Sequence, residues 1–281
     1  MPQSSSPQGH HYRTSPLEGF ASLWRSRALL WQMARRDVIG RYRGSIIGLA
    51  WSFLNPLLML AVYTFVFAIV FKARWGQDVD ESRADFAIIL FVGLIMHNLM
   101  ADCVSRAPTL IISNVNFVKK VVFPLEILPG VTLGAALFQA AVSLVMLVAV
   151  QLIRGYGLDW MALYLPLVLL PLVLGTLGFS WFLAGLGVYL RDIGQLTNVF
   201  TRVMLFISAV FYPLSALPEN LRFWLALNPM ALIIEQGRKV LLFGEHPDFD
   251  VLAILMVVAC LMAWGGFAWF QRVRRGFADV L

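Results

Sequence analysis

The chain has 281 residues, of which 59% are hydrophobic and 14% are charged, and its formal net charge is +6. Ordinary soluble domains are roughly 45–50% apolar and about 25% charged, and they need a largely polar surface, so this composition excludes a typical cytosolic enzyme and a disordered chain. Two cysteines, Cys103 and Cys260, are too few for a secreted disulfide scaffold, which leaves a polytopic membrane protein.

The N-terminal region precedes any apolar run of spanning length. Residues 1–16 are rich in Ser, Pro and Gln, lack the early apolar core of a signal peptide, and are expected to form a disordered tail. Residues 17–45 are predicted to form an amphipathic interface helix followed by a basic segment. Phe20, Trp24 and Trp31 share one face of this helix. The face predicts either a helix in the lipid headgroup layer or one packed on the membrane domain.

Six apolar runs follow, each long enough for a helix that crosses the hydrocarbon core of a membrane. They define a transmembrane domain over residues 46–270, with residues 271–281 beyond it. The predicted spans are residues 46–71, 86–105, 127–153, 160–190, 193–217 and 251–270.

An apolar segment between the fifth and sixth runs is too short to span. Residues 223–234 follow Pro218 and are interrupted by Asn228-Pro229, so a re-entrant or interfacial segment is predicted there. The predicted fold is therefore an all-α integral membrane protein. It has six transmembrane helices, an N-terminal amphipathic interface helix, and short re-entrant helices between spans five and six.

Charge is divided unequally between the two sides that these spans define. Fifteen of the 22 Lys and Arg residues, but only six of the 16 Asp and Glu residues, fall on the side that carries both termini. The positive-inside rule places that side in the cytoplasm. The basic balance of the chain is thus explained by topology, and no nucleic acid partner is expected.

Energy-coupling and catalytic motifs are missing from the sequence. It contains neither a phosphate-binding loop of the type G-x-x-x-x-G-K-[ST] nor a Cys/His pattern with zinc spacing, so no cofactor or metal site is expected. His97 is the one titratable residue well inside an apolar run, and a structural role is favoured over a proton relay. If the protein moves a substrate, its energy is expected to come from a partner.

The loop between spans two and three has the features of a docking segment. Residues 114–129 combine a short amphipathic stretch and two lysines with a Phe-Pro ending. This pattern predicts either docking on a soluble partner or a linker on the membrane surface.

Aromatic residues recur on one face of the first span, and aromatic rings stack well on the C–H faces of sugars. Contact with lipid or with another helix is the alternative. Arg202, in the fifth run, is suited to a pyrophosphate-linked carrier or an acidic polymer, or alternatively to lipid headgroups.

Six motifs, in this order, resemble the ABC-2 type permeases, and more closely the exporters of O-antigen, capsular polysaccharide or teichoic acid. The resemblance covers about residues 29–281. The motifs are Arg-Arg-Asp at 35–37, Val-Lys-Lys-Val at 118–121, Arg-Asp-Ile-Gly-Gln at 191–195, Phe-Tyr-Pro-Leu-Ser-Ala-Leu-Pro at 211–218, Asn-Pro at 228–229 and Arg-Arg-Gly-Phe-Ala-Asp-Val-Leu at 274–281.

The resemblance implies a permease subunit of the inner membrane that acts as a homodimer with two copies of a separate ATPase subunit. ATP and Mg²⁺ would bind to that partner, and this chain would form no bonds itself. The substrate would be a lipid-linked or lipid-terminated polysaccharide, and periplasmic or outer-membrane export proteins are potential further partners. The rivals are an ABC-2 permease for a drug or lipid, a membrane enzyme of glycan or lipid assembly, and a structural membrane anchor.

The resemblance also implies three groups of functional residues. The ATPase-coupling residues would be Asn116, Phe117, Lys119, Lys120, Phe123, Pro124, Arg191 and Asp192. The channel-lining residues would be Phe53, Tyr63, Phe67, Phe71, Phe200, Arg202 and Phe211. The gate would contain Phe211, Tyr212, Pro213, Asn228 and Pro229.

Overall fold

A computed structural model describes residues 16–70, 83–119, 123–155, 157, 159–213 and 218–281. Every regular element in these ranges is helical, which confirms the all-α prediction. The predicted tail up to residue 15, together with Phe71 and Lys120, lies outside the described residues, and so does the side chain of Phe67.

The described α-helices are numbered in chain order. They are α1 (Pro16–Arg25), α2 (Arg27–Arg41), α3 (Trp51–Tyr63), α4 (Arg83–Arg106), α5 (Val115–Lys119), α6 (Ile127–Ile153), α7 (Leu165–Tyr189), α8 (Ile193–Ile207), α9 (Glu219–Ala226), α10 (Pro229–Arg238), α11 (Phe249–Val273) and α12 (Phe277–Val280).

Five apolar helical segments of the described chain are long enough to cross a membrane. They are Gly48–Val66, Phe86–Thr109, Ile127–Ile153, Trp160–Tyr189 and Phe249–Val280. The predicted fifth span is shorter than expected, because α8 has 15 residues and ends at Ile207. At 1.5 Å per residue it is about 22 Å long, against a hydrocarbon core of about 30 Å.

The interface helix expected within residues 17–45 is two helices, with Ser26 between α1 and α2. α2 packs against α6 and buries Met33 and Ala34 there, so the helices do pack on the membrane domain. The predicted aromatic face is left uncovered, with Trp24 and Trp31 about 70% exposed. One side of this region therefore packs on the bundle, and the other presents indole rings to the surroundings.

The core of the bundle is built around α4, which packs against α6, α7, α8 and α10. α7 and α11 cross closely at Gly178 and Gly266. A Cβ atom at Gly266 would lie 1.9 Å from the main-chain oxygen of Gly178, so no larger residue fits without separating the helices.

The two ends of the bundle differ. One end, called here the basal end, carries α1, α5 and α12, which Glu126, Arg274 and Lys119 connect. The other, the distal end, carries the loops before α7 and α11, where the ring of Trp160 meets that of His246.

Candidate functional site

A cleft of about 440 Å³ opens between α3, α4, α6 and α8. Both polar and apolar side chains line it, although it lies among membrane-spanning helices. Its polar residues are Arg41, Tyr42, Asn55, Asn98, Asp102, Ser105, Gln139, Ser143, Asn198, Thr201 and Arg202. Polar groups facing lipid at this depth are costly, so such a cleft is suited to water or to a polar ligand.

Helix packing brings the amides of the cleft together. Asn98 is the only exposed residue in the stretch 86–100 of α4. Its side chain lines the cleft, so this part of α4 is exposed at the cleft alone. On α8, Asn198 and Arg202 are four residues apart and therefore lie on one face. Asn55 of α3 lies on the opposite wall.

A proline in α3 explains a hydrogen bond between α3 and α6, two walls of the cleft. Pro56 has no N–H group, so the carbonyl of Ser52, one turn earlier, loses its helical partner. The side-chain amide of Gln139 in α6 donates to that carbonyl at 2.6 Å. The hydroxyl of Tyr42 donates in turn to the amide oxygen of Gln139 at 3.2 Å. The part of α3 that precedes Pro56 is thus bonded to α6.

Four charged residues close the basal end of the cleft and form what we call the ion-pair cluster: Asp37, Arg41, Asp102 and Arg106. Arg106 donates to both carboxylate oxygens of Asp37, at 2.9 and 2.7 Å, and Arg41 donates to Asp102 at 2.7 Å. Burial alone would raise the pKa of Asp37, but the guanidiniums of Arg106 and Arg41 outweigh burial and hold that pKa below its ordinary value. The cluster ties α2 to α4.

The distal part of the site is organised by Arg238 at the end of α10. Its side chain is completely buried, and its guanidinium donates to the carbonyls of Ile89, Ala209 and Val210 at 3.3, 2.9 and 2.8 Å. Ala209 has a positive φ of 54°, which is unfavourable for a residue with a Cβ. Arg238 therefore stabilises the strained turn that ends α8.

The predicted channel residues do not form one surface within the chain. Phe53 is exposed, and Arg202 lines the cleft. Phe211 is buried, with its ring centroid 5.4 Å from that of Tyr63. Phe200 lies on a separate side of α8, where its ring is 5.8 Å from that of Phe179.

The predicted gate residues surround the end of α8. Tyr212 donates to the carbonyl of Phe206 at 2.7 Å, and Pro213 is buried. Asn228 begins α10, because its side-chain oxygen accepts from the N–H of Met230 at 3.0 Å, and Pro229 occupies the first turn.

The predicted coupling residues lie at the basal end in two places. In the docking segment, defined here as residues 115–119 and 123–125, the rings of Phe117 and Phe123 stack with their centroids 4.3 Å apart. Asn116, Lys119 and Pro124 belong to the same segment. Arg191 and Asp192 are exposed in the turn between α7 and α8.

Sequence reasoning missed the amides of the cleft and the anchor at Arg238. The available signal was chemical, since Asn55, Asn98 and Asn198 interrupt apolar stretches in which few polar residues occur. A pattern cannot show that all three face one space. Arg238 carried a weaker signal, because it follows a segment that was expected to lie at the membrane surface.

These features define a polytopic helical membrane protein with a polar cleft at membrane depth. The family described as ABC-2 type transporter matches residues 28–242, and the chain belongs to that family.

Relatives of the chain are named as components of polysaccharide export. It is 29% identical to the O-antigen export system permease protein RfbA of Myxococcus xanthus over 261 residues, covering 92% of this chain and 96% of that protein. It is 23% identical over 255 residues to the protein of that name from Klebsiella pneumoniae, covering 90% and 95%. The polysialic acid transport protein KpsM of Escherichia coli is 22% identical over 227 residues, covering 79% and 86%.

Proposed function

We propose that this protein is the membrane permease subunit of an ABC exporter that moves a lipid-linked or lipid-terminated polysaccharide across the inner membrane. ATP hydrolysis takes place in a separate subunit, and this chain supplies the path, the gate and the docking segment. The names of its relatives support this substrate class.

The observation that carries the proposal is the polar cleft between α3, α4, α6 and α8. A glycan needs hydrogen-bonding groups along its path, and Asn55, Asn98, Asn198 and Arg202 offer both donors and acceptors. A drug permease is expected to offer a mainly apolar vestibule instead. The amides of the cleft therefore favour the polysaccharide over the rival substrates.

The arrangement in the membrane forms part of the proposal. Both termini are cytoplasmic, so the basal end faces the ATPase subunit. The segment from α8 to α10 forms the sixth crossing together with the outer gate, and Arg238 holds it in place. Two copies of the chain close the path, because one copy leaves the cleft open along α3 and α8. Lipids surround the pair, and periplasmic and outer-membrane export proteins receive the polymer.

The test compares two neighbouring positions on α8. Asn198→Leu removes a cleft amide, whereas Val199→Leu changes an exposed apolar side chain outside the cleft. We expect Asn198→Leu to lower ATP-dependent export of a labelled lipid-linked polysaccharide about tenfold in proteoliposomes containing both subunits, as the loss of about one hydrogen bond predicts. Val199→Leu should export normally.

Equal export by the two variants at equal protein level contradicts the assignment of the cleft as the path. Normal transport of a hydrophobic dye by the unmodified complex, without transport of the polysaccharide, would instead favour the drug permease.

A further inference from the structure

Glu126, the residue that directly follows the docking segment, is bonded to three other parts of the chain. Its carboxylate accepts from the hydroxyl of Ser22 in α1 at 2.9 Å and from Arg274, just after α11, at 2.5 Å. Its main-chain oxygen accepts from the indole N–H of Trp181 in α7 at 2.8 Å. One residue thus connects the docking segment to α1, to α7 and to the end of α11.

Residues 274–281, called here the C-terminal segment, contact the docking segment through both of their own ends. Arg274 donates a second hydrogen bond, to the carbonyl of Phe123 at 2.9 Å. At the other end, the ammonium group of Lys119 donates to the main-chain oxygen of Leu281 at 2.5 Å. The ring of Phe123 stacks on that of Phe117, so the two bonds hold the chain next to this aromatic pair.

The C-terminal segment is itself anchored in the bundle. Phe277 is completely buried, with its ring 5.7 Å from that of Phe270 in α11 and 6.1 Å from that of Tyr189 at the end of α7. The hydroxyl of Tyr189 donates to the carbonyl of Val273 at 2.7 Å. The docking segment is therefore connected to two long helices through bonded or packed atoms.

The burial of the ion pair indicates what it contributes. The side chains of Glu126 and Arg274 are 11% and 13% exposed. Removing two charges from water costs free energy that their attraction does not always offset, and apolar residues of similar size often stabilise such a place as well or better. What a buried, multiply bonded pair adds is a defined position for the groups that it joins.

We propose that Glu126 and Arg274 are positioning residues for energy coupling. They make the docking segment, α1 and the C-terminal segment move as one unit, so that a displacement imposed by the ATPase subunit reaches α7 and α11. This inference rests on the proposed function, because it assigns a role in transmission to residues that the ATPase subunit need not touch.

The test measures polysaccharide exported per ATP hydrolysed, with both subunits reconstituted in proteoliposomes. Glu126→Gln and Arg274→Gln should leave co-purification of the ATPase subunit and its hydrolysis rate near the wild-type values. Export per ATP should fall roughly twofold to thirtyfold, the range for mutations along a coupling network. Arg274→Lys should recover part of the ratio, because one ammonium group can reach Glu126 but cannot also hold the carbonyl of Phe123.

Arg272→Gln is the matched control, since it removes an exposed positive charge two residues away. It should leave the ratio unchanged. Unchanged ratios in both Gln variants, with complexes intact, overturn the proposal. Loss of ATPase binding also overturns it, because the pair would then belong to the docking surface. If the Gln variants fold poorly, Ser22→Ala, which removes only the link to α1, supplies the same readout.

Phe117→Ala separates a failure of this proposal from a failure of the proposed function. If that change leaves both ATPase binding and export per ATP intact, the docking assignment itself is wrong. If it abolishes binding while the Glu126 and Arg274 variants behave as wild type, docking stands and only the positioning role is overturned.

Discussion

The first and second spanning helices are both apolar, yet their burial is opposite. In the most apolar 18 residues of Gly48–Val66, 6% of the residues are buried within the chain, against 83% for Phe86–Thr109. Hydropathy therefore shows that a segment enters a membrane, but it does not show what covers the segment there. The second helix is a core element, whereas the surface of the first is free to contact lipid or another copy of the chain.

The two helices, α4 and α3, also have different structural roles. α4 organises the fold, because it packs on α6, α7, α8 and α10, and it lines the cleft with polar groups such as Asn98 beside apolar ones such as Leu94. α3 contributes one wall of the cleft and is held by few contacts, among them the bond from Gln139 to Ser52. Substitutions at Arg238, at a matched pair of leucines and at Asp37 test how far this division holds.

The largest effect is expected at Arg238, beside α4. Arg238→Met removes the guanidinium that donates to the carbonyls of Ile89, Ala209 and Val210, and each buried acceptor that is left unpaired costs about 1–3 kcal/mol. The variant should show a much lower thermal midpoint in detergent and a lower membrane level. Arg191→Met, at an exposed turn, is the control. A midpoint equal to that of the control would show that Arg238 does not support the end of α8.

A matched pair of leucines tests the comparison directly. Leu90 of α4 is fully buried and Leu58 of α3 is 52% exposed. Leu90→Ala should cost about 2–5 kcal/mol of stability through the cavity that it leaves, whereas Leu58→Ala should cost less than about 0.5 kcal/mol in detergent. Thermal unfolding of both variants checks this. A large cost at Leu58 would break the comparison and indicate that a second copy covers α3.

The smallest effect is expected from acid at the ion-pair cluster. Because the pKa of Asp37 is lowered in the folded protein, its contribution to stability is complete above the unfolded pKa of about 3.9 and is lost as pH falls through the lower folded value. The thermal midpoint should drop over that acidic window. Asp37→Asn should flatten the part of the drop that Asp37 causes. An identical pH profile in both proteins would exclude that contribution.

The sequence predicted the order and approximate limits of the long helices, because uninterrupted apolar runs leave few alternatives in a membrane. It did not predict where α8 ends. The turn at Ala209 depends on Arg238, and a bond between residues so distant in the chain leaves no local pattern. The cleft was missed for a related reason, since Asn98 and Asn198 are single polar residues whose common direction is set by packing.

The proline inside α3 has a consequence for which substitutions the chain tolerates. Pro56 leaves the carbonyl of Ser52 without a helical donor, and the side-chain amide of Gln139, 87 residues after Ser52, donates to it instead. If Pro56 were replaced alone, the helix would satisfy its own carbonyl and the Gln139 amide would be stranded. If Gln139 were replaced alone, the carbonyl would be stranded. The effects of substitutions at the two positions are therefore expected to be coupled, and exchanging both together is expected to be milder than exchanging either.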